Sequence, residues 1–179
     1  VLEKVKRYKR NLDKQVKVGL DDLIKMFRYN WMVRNEWLEL CKQIPIGELM
    51  RKRNGGADSI LYTLFHILDV EYSWLRGVQG KPDSPVPFEN YQTIEKINDL
   101  TEAWNKENQS FLFTWSDEFE NDVVTVPWIE GSFFAQGEVL RHVIAHEIHH
   151  VGQLSIWIRE LGLEPVSANV IGRDLGFPG

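Results

Sequence analysis

The chain has 179 residues, 43% hydrophobic and 26% charged, which suits one soluble domain with a sizeable core. Its net charge of −5 is uneven: residues 1–18 carry seven Lys/Arg against two acids, leaving 14 basic and 24 acidic residues elsewhere. An acidic body repels nucleic acid, the single cysteine excludes an intrachain disulfide, and no apolar run or leader pattern suggests a membrane span or export. The expectation is a cytoplasmic protein with a small-molecule substrate, without nucleic-acid or membrane partners.

Residues 1–18 read as a basic arm or an artificially appended segment, and residues 19–179 as the domain. The first helical pattern runs from about Leu20 to Ile44, with Ile24, Phe27, Trp31, Leu38 and Cys41 at helical spacing and Pro45 and Gly47 marking its end. The second starts at an N-cap, Asp58 or Ser59, and runs to about Arg76, with Gly77 as its stop. The third spans about Thr93 to Trp115 after a proline-rich loop. Val123–Phe134 breaks the helical rule and reads as a short hairpin or extended crossover, with Pro127 confining any strand to an edge. The fourth helix runs from about Ala135 to Leu161, with Gly162 and Pro165 closing it. The tail from Val166 is expected to pack irregularly over one end. Four long amphipathic helices in one domain predict an all-α four-helix bundle, with links long enough for a crossover topology.

The last helix carries the chemistry. At about 100° per residue, His150 lies about 40° from His146, and both fall at the edge of the apolar stripe. Two inward imidazoles at i and i+4 can converge on one ion. His142 and His149 fall on the flank. His66, in the apolar stretch of the second helix, is the one histidine outside this cluster; alone it reads as a buried neutral histidine, and beside the pair it could supply a third ligand. A ligating imidazole needs an acceptor for its other ring nitrogen, and Asp69, Glu147 or a backbone carbonyl could serve. Gln153 faces inward beside the pair. Glu147 could otherwise pair with an arginine from another helix. Trp31, Tyr62 and Trp157 are candidates for a pocket wall. Imidazole ligands suit zinc, nickel or iron alike.

The same letters, His146-Glu147-Ile148-His149-His150, match the H-E-x-x-H pattern of zinc peptidases, so a metal-dependent hydrolase is a minor alternative. The extended form of that motif fails, since Gln153 and Ile156 stand where glycine and a third histidine are needed. Cys41 sits on a helical stripe as a small core residue. Gly55-Gly56 reads as a helix-entry turn rather than a phosphate loop.

Phe27-Arg28-Tyr29-Asn30-Trp31, the run Ser59–Ile67 with Glu71, Trp74 and Leu75, and above all Glu138–Leu154 with its HxxxHxGQ-like core resemble the DinB-like family of metalloproteins. The resemblance covers roughly Leu20–Pro165. It implies up-down-down-up connectivity, a metal held by His66, His146 and His150, and a homodimer. Relatives include bacillithiol- and mycothiol-dependent S-transferases. That implies a thiol S-transferase using a low-molecular-weight thiol as co-substrate, the alternative being a non-catalytic metal-binding module of the stress response. The family often has arginine after the last histidine; here Val151 takes that place.

Overall fold

The structure is a computed structural model describing residues 20–175; the basic segment 1–18 lies outside the described residues. Four long helices form the body: α1 (Leu20–Cys41), α3 (Ile60–Val78), α4 (Ile94–Leu112) and α5 (Gln136–Glu160). A single-turn helix α2 (Ile46–Leu49) follows α1, and the strands β1 (Val123–Val124) and β2 (Phe134–Ala135) pair antiparallel just before α5. No described helix is long and apolar enough to cross a membrane.

Cross-helix contacts fix the directions. Asn30 and Arg34 of α1 meet Ile144 and Glu147 of α5 in ascending order, so these two helices run parallel. His66 of α3 meets His146 and His150, whereas Trp74 meets His142, so α3 and α5 are antiparallel. Phe65 packs on Tyr91, just before α4, and Tyr72 on Trp104 within it, so α3 and α4 run parallel. The connectivity is therefore up-down-down-up across the four long helices.

Two apolar clusters fill the bundle. One is built around Trp37, Leu61, Leu64, Leu68, Ile97 and Leu154. The other is built around Phe27, Trp31, Leu75, Leu112, Leu140 and Val143. Between them lies a buried polar layer of Arg34, Glu71 and Glu147, each at most 2% exposed. Tail residues 166–175 close the larger cluster: Leu175 is buried, Tyr29 donates to the Ala168 carbonyl at 2.8 Å, and Arg173 pairs with Glu36.

Local signals set most boundaries. Ser59 caps α3 by accepting from the Tyr62 amide at 3.2 Å, and Thr93 caps α4 by accepting from the Lys96 amide. Ser59→Ala is expected to lower stability by about 1 kcal/mol in chemical denaturation; an unchanged midpoint would show the cap to be idle. Two expectations are corrected. Pro45 ends α1 early, at Cys41, because it starts the separate turn α2. Gly77 does not stop α3. It lies inside the helix, where a Cβ would come within 2.8 Å of Val126, so it lets the hairpin seat on the helix. The left-handed residue after the helix is Gly80, at φ 67°. Pro127 lies in the loop between the two strands, and each strand is an edge of the two-stranded sheet, as expected.

Candidate metal centre

His66 projects from α3 toward α5, and His146 and His150 project from successive turns of α5 toward it. His146 Nε2 lies 3.2 Å from His66 Nε2 and 3.1 Å from His150 Nε2, and ligand atoms of all three rings lie within 4.8 Å of one another. His150 is buried and the other two are partly so. Tyr62, one turn before His66, stacks against its ring at 6.2 Å and 10°.

Hydrogen bonding among the rings cannot satisfy this geometry. Gln153 Oε1 lies 2.7 Å from His150 Nδ1, and an amide oxygen can only accept, so Nδ1 carries the proton and Nε2 presents a lone pair to the cluster. If His146 Nε2 bears a proton, it donates to one neighbour only. If it bears a lone pair, that pair opposes the one on His150. At least one of the two short contacts is therefore repulsive without a cation. Two nitrogens about 2.0–2.1 Å from a shared ion lie about 2.9 Å apart at a right angle and about 3.3 Å apart at the tetrahedral angle. The observed 3.1 and 3.2 Å fall between these limits. The donor set fits a divalent ion.

The electrostatics point the same way. Burial, then the neighbouring His150, lowers the His66 pKa to about 4. Burial, then the surrounding imidazoles, lowers that of His146 to about 3. Burial also lowers that of His150, against the opposing hydrogen bond from Gln153. All three are neutral donors at neutral pH. A consequence concerns the metal-free chain. Unfolded histidines titrate near 6.5, so below that pH the unfolded state takes up protons that the folded state refuses. Stability should fall as pH drops from about 6.5 toward 4. His146→Asn should flatten this dependence in urea titrations; equal slopes in parent and variant would refute the assignment.

Gln153 also reaches His149, its Nε2 lying 2.9 Å from His149 Nε2, so an exposed flank residue supports the amide that orients His150. Trp157 packs beyond Gln153, donating to the Asn54 carbonyl at 3.1 Å. A Cβ on Gly56 would strike the Trp157 ring, so this glycine lets the α2–α3 loop lie on that tryptophan. His142 is exposed, its ring 6.0 Å from that of His146.

Other sequence candidates lie elsewhere. Asp69 is half-buried with Asp83 near it, a position where burial, then that acid, raises its pKa; it makes no hydrogen bond to a triad ring. Trp31 packs in the second core cluster and donates to Glu71 at 3.1 Å, because its position on α1 faces the bundle axis. Glu147 turns away from the triad. Arg34 donates to it through Nε at 2.8 Å and through Nη2, which also reaches Glu71. Asn108 adds a 2.8 Å bond to Glu71. Burial raises the Glu147 pKa, partly offset by Arg34. Burial opposes the charge on Arg34, but the two carboxylates outweigh it and hold the guanidinium charged. Glu147 follows His146 directly, so this network anchors α5 one residue from a triad member.

Comparison with known proteins agrees with this architecture. The sequence profile of the DinB family matches residues 13–174. A protein of Bacillus subtilis (strain 168), described as uncharacterized protein YizA, is 51% identical over 153 residues, covering 86% of this chain and 96% of that one. The crystal structure of a DinB-like protein from Bacillus cereus ATCC 10987 superposes with a TM-score of 0.61. At 19% identity it covers 82% of this chain and 95% of its own, and it speaks for the fold alone.

Proposed function

The chain belongs to the DinB family, and from that premise we propose that it is a metal-dependent thiol S-transferase of the bacillithiol type, acting on electrophilic small molecules. The observation that carries this reading is the meeting of three neutral imidazoles, with His146 Nε2 at 3.1 and 3.2 Å from the other two and His150 oriented by Gln153. Three protein ligands leave positions open to a small molecule, as in catalytic rather than structural sites. A zinc, nickel or iron ion there would supply a Lewis acid that lowers the pKa of a coordinated thiol. His66, His146 and His150 bind and shape the site, Gln153 keeps the His150 proton on Nδ1, and Tyr62 walls the His66 ring.

The test is turnover. Metal-loaded protein is assayed with bacillithiol, mycothiol or glutathione and monochlorobimane. In that reaction sulfur bonds to carbon, chloride leaves with the bonding pair, and the thiol proton passes to buffer. Conjugation well above the His146→Ala background with one of these thiols is expected. None above background with any of them would overturn the transferase reading.

A further inference from the structure

We infer that the cavity beside the triad, between α3, α5 and the β1–β2 hairpin, holds an uncharged aromatic portion of the electrophile; this rests on the transferase reading for the substrate's role, but not for the binding itself. The cavity measures about 750 Å³, within the roughly 300–1,000 Å³ usual for small-molecule sites. Its walls are Trp74 from α3, Ile129, Phe133 and Phe134 from the hairpin, and Val139 and Ala145 from α5. The Trp74 ring meets three others at steep angles: Trp128 at 5.4 Å and 86°, Phe134 at 5.6 Å and 83°, and His142 at 5.3 Å and 65°. Such edge-to-face arrays offer aromatic faces and edges to a further ring.

The charged groups at its rim are already engaged. Arg141 pairs with Glu120 at 2.7 Å, and Glu138 accepts from the Ala135 amide at 3.1 Å. A charged ligand would compete with these contacts, whereas an uncharged ring displaces water from apolar walls. The hairpin wall is held by the close approach of Val126 and Trp128 to Gly77, which a side chain at that position would block. None of the three imidazoles lines the cavity, but it adjoins the triad along one turn of α5, since His142 lines it and its ring lies 6.0 Å from that of His146. An aromatic group seated against Trp74 therefore lies one turn of α5 from the triad, with the His142 ring between them.

The test titrates the full chain with N-phenyl-1-naphthylamine, a neutral aromatic fluorophore, in metal-loaded and metal-free forms. A saturable single site is expected. Ala145→Trp fills the cavity from an exposed helix position and should weaken the probe at least tenfold, with metal content unchanged as the sign of an intact fold. Phe133→Arg, on the hairpin, should do the same. His146→Ala should lose metal and keep probe affinity within twofold. Parent-like probe binding in both cavity variants, or no saturation in the parent, would overturn the inference. So would sedimentation showing that the probe is excluded as a second copy covers this face. Failure of the transferase reading has a separate signature: probe binding retained by a chain that conjugates nothing.

Discussion

Arg34→Met is expected to cost about 3–5 kcal/mol of folding stability, the range for removing one partner from a buried ion pair. Arg34 is 1% exposed and stands between Glu71 and Glu147, each 2% exposed. Without it, two carboxylates remain in a dry layer with hydrogen bonds only from neutral groups such as Asn108 and Trp31. Against a total stability of roughly 5–15 kcal/mol, that is a large fraction. The urea midpoint should fall by about 2 M. The charge count makes the converse specific. One guanidinium between two carboxylates leaves an excess negative charge, so Glu147→Gln produces a neutral pair and should cost far less. Acid should partly rescue Arg34→Met, because protonating each carboxylate removes one of the two uncompensated charges. A variant within about 1 kcal/mol of the parent would show that the layer contributes little to stability.

The second large effect is on metal affinity. His146 is within 3.2 Å of both other imidazoles, so His146→Ala leaves His66 and His150 without the nitrogen that joins them. Loss of an outer residue that orients a ligand costs about 10–100-fold in affinity. That is the expected effect of Gln153→Ala, which frees the His150 ring to rotate and to change tautomer. Loss of the ligand itself should exceed it, measured by competition against a chelator of known affinity. Equal affinities for parent and His146→Ala would place the ion elsewhere. Equal affinities for parent and Gln153→Ala would remove the amide's orienting role while leaving the triad intact.

Much of this arrangement is legible in the residues, and the exceptions have physical reasons. Helical periodicity finds the four long helices because each buries one face, and Ser59, Thr93 and Gly162 mark boundaries through their side-chain or backbone chemistry. Gly77 misleads because a glycine can serve close packing as readily as a helix stop, and only the hairpin's position distinguishes the two. The spacing of His146 and His150 declares a shared direction, whereas the meeting of His66 with them depends on α3 running antiparallel to α5. The arginine partner of Glu147 was foreseeable in kind. Its identity was not, because Arg34 and Glu71 reach the same layer from helices whose register the sequence does not state. Trp31 and Trp157 illustrate the limit for aromatics: each presents the same apolar ring to a core or to a cavity, and composition does not separate them.

The central claim is that His66, His146 and His150 hold one divalent ion. Elemental analysis of the purified full chain and of His66→Ala tests it most directly, because His66 is the one candidate ligand on α3. The account predicts about one ion per chain in the parent and a chain of the same helical content, without the ion, in the variant. A parent that retains no divalent metal after loading and desalting, or a His66→Ala variant with full stoichiometry, would contradict it.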